Sequence, residues 1–318
     1  MRIKLVYRDF NASLLGNVSG FRSYGDVEPI QIDKLKRKDL EGDLLFTNID
    51  SMMPPKPNTV FEISSKGDAT LWRLGQYDGL SSVLRNIKLA TILDTCLYRW
   101  LKEKKQSWGK IKLVPDGLHY DLFQPKAREE VGIFSVLAPK MMSGINLIKT
   151  VNYIHSRGYT AIRFIAVASK KVPYSIRGIE MLRPRPFYKM PNLYQANIIL
   201  NVDEENLDTA NNTFLSSIPL ITLRECVGDL QTVHMKYLTK MRGDFGQSVD
   251  WFDEQWNDKY GSGDHYLKGD SIKELGDHII HLYENPDEEK ELALKGRKWA
   301  ETLNYTWNDK IDLIMRNF

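Results

Sequence analysis

The chain has 318 residues, of which 42% are hydrophobic, 27% charged and 11% aromatic; this is the balance of a folded globular protein, not a disordered one, and enough chain for about two domains. Lysine and arginine number 44 against 41 acidic residues, a formal net charge of +3, which makes no case for nucleic acid as the default partner. The two cysteines, Cys96 and Cys226, stand far apart in sequence, which argues against a disulfide framework and for a reducing compartment, so the expected location is the cytoplasm.

The opening MRIKLVYRDF turns charged too early for a signal peptide. No run approaches the ~18 apolar residues of a membrane span, so no transmembrane segment is expected; peripheral contact with a membrane stays open. MRIKLVY reads as a buried parallel strand. RDFNASLLGNVSGFRSYG (8–25), rich in Gly, Asn and Ser, reads as a loop. Gly16 within it is a candidate contact for a phosphate or sugar, with a plain surface loop as the competing reading. GDLLFTNI (42–49) and NTVFEIS (58–64) read as strands, separated by the proline-rich DSMMPPKPN. Asn86 to Lys104 reads as a helix, because Ile87, Ala90, Leu93, Leu97 and Leu101 recur at three- and four-residue spacing. KIKLV (110–114) is a strand, broken by the turn Pro115-Asp116-Gly117.

After residue 126 the pattern restarts. EVGIFSVLA (130–138), AIRFIAVA (161–168) and IPLITL (218–223) read as strands, and LYQANIILNV (193–202) contains another. GINLIKTVNYIHSRG (144–158) reads as a helix with Gly158 as its C-cap. DSIKELGDHIIHLYENP (270–286) is amphipathic, and DEEKELALKGRKWAETL (287–303) carries acid early and base late, as a helix dipole prefers. Strands alternating with helices imply parallel sheets, here two α/β units in tandem. Ligands of such sheets bind beyond the carboxyl ends of the strands, so a cleft between two domains is the expected site. Asp9, Asn11, Asn17 and Asp50 fall at or just beyond strand ends of the first unit. Asp9 and Asp50 are the carboxylates there that can serve as a general base.

Five segments occur in a set order: LVPDGLHYDLFQP (113–125), FSVLAPKMMSGINLIKTVNYI (134–154), MPNLYQANIILNV (190–202), FLSSIPLITLRECVGDLQTV (214–233), and Tyr266 through Met315 with its closing aromatic Trp307. They resemble, in turn, the interdomain IPNGVDxxxFxP, the GRLxxxKGxxxLIxA strand–loop–helix, LPxLYxxADVFVxP, AMAxGxPVIAxxxGGxxEVV and the C-terminal helices of a GT-B glycosyltransferase. The closest resemblance is to the large retaining nucleotide-sugar-dependent family (glycosyltransferase family 4-like). The resemblance covers about residues 110–318. It implies two Rossmann-like domains facing across a cleft, at 1–125 and 126–303, with 304–318 as a helix returning to the first. It also implies transfer of a sugar from a UDP- or GDP-linked donor to an acceptor hydroxyl, with no cofactor and no bound metal. The acceptor would be a glycan, lipid or protein, ahead of DNA.

The family's Glu-x7-Glu motif, anchored on Pro219, falls on Glu204 and Asn212. Glu204 would contact the donor sugar, and Asn212 the ribose through its amide, without the charge that strengthens such a bond. The family's diphosphate-binding Arg and Lys fall on Ala138 and Ser143. Lys140 in the same loop would take their place, with Arg183 and Arg185 as further cations. Ser143, Gly144 and Ile145 open a helix whose N–H groups suit a phosphate. A retaining enzyme needs no protein base, since the leaving phosphate accepts the proton. None of the six histidines lies in residues 1–118, so a first-domain catalytic histidine, used by some GT-B enzymes, is absent. His278 and His281 read as surface or packing residues, and no metal ligand set is seen. Residues 235–264 read as a helical insertion, either a packing flap or an acceptor surface. A DNA-modifying glucosyltransferase and a catalytically weak GT-B-like binding subunit are the alternatives.

Overall fold

A computed structural model describes residues 1–8, 12–36, 41–47, 57–63, 87–92, 111–114, 116–126, 132–137, 141–168, 177–183, 185–202, 207–223 and 265–318. The chain divides into two compact units, Met1–Leu118 with Tyr305–Phe318, and His119–Asn304. The divisions fall at 118/119 and 304/305, against the expected 125/126 and 303/304.

The first unit is built on six parallel strands: β1 (Arg2–Tyr7), β2 (Asp26–Gln31), β3 (Leu44–Thr47), β4 (Thr59–Ile63), β5 (Leu89–Ile92) and β6 (Ile111–Leu113), in the order β2-β1-β3-β4-β5-β6. The register Ile3↔Leu44 and Leu5↔Phe46 aligns one apolar face, which joins Val60, Leu89 and Val114 in a single core. Val6 and Leu45 alternate to the opposite face.

Two sequence expectations are corrected here. Residues 12–21 are not loop but helix α1 (Ala12–Phe21), with Leu14 and Phe21 buried. Its glycines serve packing: a Cβ at Gly16 would lie 2.0 Å from the Trp307 ring, and one at Gly20 2.5 Å from Ile311. Leu89–Ile92 is a strand, not part of a helix. A four-residue apolar run satisfies either period, and pairing with β4 and β6 decides it. The remainder of that expected helix, from Leu93 to Lys104, lies outside the described residues.

Trp307 and Ile311 belong to helix α6 (Trp307–Asn317), which closes the chain on this unit. Its start is fixed by a capping box, with Thr306 accepting from the Asp309 N–H at 3.2 Å and Asp309 accepting from the Thr306 N–H at 2.7 Å. Ile311 and Ile314 complete the core over the sheet. The lead-in to α6 runs beside the exit from β6. Leu118 bridges Thr306 in parallel, and its N–H donates to the Tyr305 carbonyl at 2.9 Å. A Cβ on Gly117 would lie 2.4 Å from the Trp307 backbone nitrogen, so this position needs glycine for the close approach.

The second unit has six parallel strands: β7 (Gly132–Leu137), β8 (Arg163–Ala168), β9 (Ile179–Leu182), β10 (Ile198–Asn201), β11 (Leu220–Leu223) and β12 (Leu267–Gly269), in the order β12-β11-β10-β7-β8-β9. This is the doubly wound order, with its reversal between β7 and β10. Helices α2 (Met141–Ser156), α3 (Leu207–Leu215), α4 (Ile272–Glu284) and α5 (Pro286–Leu303) accompany it. Helix α2 ends as the sequence predicts: Gly158 has φ +95, its N–H meets the His155 carbonyl and the Tyr159 N–H meets Ile154. Leu147, Val151 and Ile154 of α2 and Leu275, Ile279 and Leu282 of α4 share the core with β7, β10 and β11. Gly276 lets Tyr153 lie flat against α4, and the Tyr153 hydroxyl donates to Asp277 at 2.6 Å.

Candidate active site

Ligands of a doubly wound sheet sit beyond the carboxyl ends of the two strands that flank the reversal. In the second unit those strands are β7 and β10. The chain leaves β7 at Leu137 and resumes at Met141 in α2; it leaves β10 at Asn201 and resumes in α3 at Leu207. Lys140 and Glu204 fall in these two connecting segments and lie outside the described residues. In the first unit the order reverses between β1 and β3. Asp9 and Asp50 fall in the sequence leaving those strands and likewise lie outside the described residues, as does the 235–264 insertion.

Helix α2 opens Met141-Met142-Ser143-Gly144 with no acid in its first turn, so its own residues leave the positive end of its dipole open to an anion. Ser143 and Gly144 therefore stand at the reversal, where a phosphate would be received by backbone N–H groups. Helix α3 is unusually polar for a buried element: Asn211, Asn212 and Thr213 are all buried. The Oδ1 of Asn211 accepts no hydrogen bond from the protein. At the end of β10, Asn201 donates to the Thr222 hydroxyl on β11 at 3.4 Å, both side chains being buried. Buried polar atoms are usually retained with partners, and the Asn211 amide oxygen has none among the described residues.

The end of α3 is left-handed. Ser217 has φ +54, its N–H meets the Phe214 carbonyl, and the Ile218 N–H meets Thr213. Such a helix end favours glycine, and the resembled motif, anchored on Pro219, carries glycine at this position.

No family model and no curated protein matches this chain by sequence. Solved structures do match. Sucrose-phosphate synthase from Thermosynechococcus elongatus superposes with a TM-score of 0.64 at 10% identity, over 99% of this chain and 98% of that one. HepE of Anabaena, in complex with UDP and glucose, gives 0.65 at 9% identity over 100% of both chains. A UDP-GlcNAc 2-epimerase from Neisseria meningitidis, bound to UDP-GlcNAc, gives 0.56 at 8% identity over 100% of this chain and 99% of that one. The chain has the GT-B fold.

Other expected residues of the GT-B site lie apart. Arg185 and Arg183 are exposed beyond β9, the edge strand, two strands from β7; at ~4.8 Å per strand this is roughly 10 Å. Gly16 lies inside α1 against Trp307, which gives it a packing reason. Among the described residues no group of three or more His, Cys, Asp or Glu gathers as a metal site. His278 meets the Lys268 carbonyl and His281 meets Glu288.

The sequence reading missed a buried ionic cluster at the carboxyl edge of the first sheet. Lys310 Nζ lies 2.5 Å from Glu62 Oε2 and 2.6 Å from Asp116 Oδ1, and Asp116 Oδ2 accepts from the Ser13 hydroxyl at 3.1 Å. Thr91, in register with Glu62, and Tyr305 each have a buried hydroxyl without a partner. Burial works against the Lys310 ammonium, but Asp116 and Glu62 override it and hold its pKa above the ordinary value. Burial pushes Glu62 up, against the pull of Lys310. Burial likewise pushes Tyr305 up to about 12. The available signal was a lysine on the apolar stripe Trp307, Ile311, Ile314.

Proposed function

We propose that the protein transfers a sugar from a nucleoside diphosphate donor to an acceptor hydroxyl. One observation carries this reading. The four candidate side chains Lys140, Glu204, Asp9 and Asp50 fall in the segments leaving the four strands that flank the two sheet reversals. In the second unit α2, which has no acid in its first turn, starts at that edge, and α3 carries the buried Asn211 and Asn212.

In this reading the diphosphate rests on the N–H groups at Ser143 and Gly144, with Lys140 facing the charge that builds as the bond to the sugar breaks. Asn212 hydrogen-bonds the ribose and Glu204 the sugar. Asp9 and Asp50 stand on the acceptor side, where either can orient the attacking hydroxyl. A UDP-linked donor is the first candidate, since HepE is solved with UDP and glucose; a GDP-linked donor is the second. The acceptor is a hydroxyl of a glycan, lipid or protein. No cofactor is required.

A second reading rests on the same site. Ala138 and Ser143 stand where the family carries its basic pair, and Asn212 where it carries a carboxylate, which suits a binding subunit of weak activity. Incubation with a panel of UDP- and GDP-sugars decides, read as release of nucleoside diphosphate and as thermal stabilisation. Stabilisation without release supports the binding subunit, and an epimerised nucleotide sugar without release supports isomerisation. No response to any donor or free nucleotide sinks the transferase.

A further inference from the structure

One surface of the second unit carries cations that no acid among the described residues pairs. Beyond β9 the chain runs through Arg183, Arg185 and Pro186 into a short 3-10 helix, Phe187–Asn192. Arg183, Arg185, Pro186, Tyr188 and Lys189 are exposed, Tyr188 by 54%. Lys126 is exposed beside them, its Nζ donating to the Pro191 carbonyl at 3.3 Å and to Asn192 Oδ1 at 3.2 Å. Among the described residues none of these four cations is in a salt bridge, and Glu180, the acid nearest in sequence to Arg183, Arg185 and Lys189, is held by Arg163. The platform beneath them is packed. Phe187 lies 5.6 Å from Phe123 and 5.1 Å from His119, and Phe123 meets Tyr194 edge-on at 5.1 Å. The Lys189 ammonium lies 5.9 Å from the Tyr188 ring centre.

Four cations without a salt bridge among the described residues, around an exposed tyrosine, fit a surface that is both anionic and amphipathic. Tyrosine settles at the headgroup level of a bilayer, with its ring towards the acyl boundary and its hydroxyl in water. Half-buried Met190 and the exposed ring of Pro186 add apolar surface to the same tip. A nucleic acid duplex asks instead for an extended basic track along its phosphates, and this patch is one short loop with a lysine beside it. We propose that Lys126, Arg183, Arg185, Tyr188 and Lys189 form a docking surface for an anionic lipid bilayer. The carboxyl end of β9 lies on the same edge of the sheet as the carboxyl ends of β7 and β10. Docking therefore brings the candidate donor edge to the membrane, and the acceptor class it favours is a lipid-linked hydroxyl.

Vesicle co-sedimentation of the full chain tests this without any nucleotide sugar, so its result is separate from that of the donor panel. The protein should partition onto phosphatidylcholine vesicles containing phosphatidylglycerol and not onto phosphatidylcholine alone, and salt should release it. Each cation near the surface contributes about fivefold to partitioning, so Arg183→Ala/Arg185→Ala/Lys189→Ala should lose roughly a hundredfold. Tyr188→Ala should weaken binding by less and leave its salt dependence intact. Should the triple variant fail to fold, Lys189→Glu alone gives the same reading. Binding that ignores lipid charge, binding unchanged in the charge variants, or capture of duplex DNA but not vesicles would each overturn the proposal.

Discussion

Lys310 and Asp116 form an ion pair of 2.6 Å inside the first unit, and the same ammonium meets Glu62 at 2.5 Å. Through it α6 is tied to the end of β4 and to the turn after β6, while Ser13 brings in the start of α1. Removing one partner of a buried ion pair leaves the others charged and dry. Lys310→Met should therefore destabilise by about 3–5 kcal/mol. Neutralising all three positions, with Glu62→Gln and Asp116→Asn added, should recover most of that. Urea unfolding of the two variants checks it; equal midpoints would show that charge is not the cause.

Among the described residues the cluster has two carboxylates for one ammonium, and Glu62 is the more buried of the two. Its pKa is raised above the ordinary 4.5 by burial. The unfolded chain therefore releases this proton before the native state does. The stabilisation is complete below 4.5 and is lost as pH rises through the native value. Glu62→Gln has no such proton to lose. Its stability relative to the parent should climb with pH above 4.5, read from urea midpoints across a pH series. A pH-independent difference would remove Glu62 as the titrating group.

Strands such as β1 and β7 were legible because their runs IKLV and GIFSVL are short, apolar and bounded by turn residues; β2, β9 and β12 were not. Helix α1 was not, because glycine and asparagine mark loops by composition. Gly16 and Gly20 are spaced for helix contact instead, and their partner α6 lies almost the whole chain away. The segment at Leu89 was misread because four apolar residues fit both periods, and only the neighbouring strands choose between them. At the site, the spacing from Glu204 to Asn212 is an expectation anchored on Pro219, and Glu204 lies outside the described residues. The pairing of Asn201 with Thr222 and of Lys310 with Glu62 was not legible, since both join residues distant in sequence through sheet register and helix docking.

Gly16→Ala follows from the same α1–α6 contact. The added methyl meets Trp307 at 2.0 Å, and overpacking of this kind costs about 1–3 kcal/mol. The loss should shrink in a Trp307→Leu background, where the ring is gone. A thermal-unfolding cycle of the two single variants and the double measures the coupling; additive losses would refute the contact as the cause.

Ser217→Gly should act in the opposite direction. Ser217 holds φ +54 at the end of α3, a left-handed conformation that strains an L side chain by about 1–2 kcal/mol. Glycine relieves this but adds freedom to the unfolded chain, so the net gain is up to about 1 kcal/mol. The hydroxyl's contact with the Ala293 carbonyl, at 3.5 Å, is too long to offset it. A raised melting temperature is the expected result, and a lowered one would mean that the turn is not strained.

The proposed donor site separates binding from chemistry. Asn212→Ala removes a neutral hydrogen bond to the ribose, worth about 0.5–1.5 kcal/mol, so nucleoside diphosphate affinity should fall roughly three- to tenfold. Lys140→Ala should act differently, because charge on the departing diphosphate is greatest in the transition state. Its loss should lower kcat by about a hundredfold or more while changing donor affinity less. Calorimetric titration with UDP and GDP, paired with initial-rate kinetics on the responding donor, distinguishes the two effects. If Asn212→Ala leaves nucleotide affinity unchanged, the buried asparagines of α3 serve only the core. If Lys140→Ala lowers affinity and kcat in parallel with the stability of the second unit, Lys140 is a structural residue and the diphosphate rests on the α2 start alone.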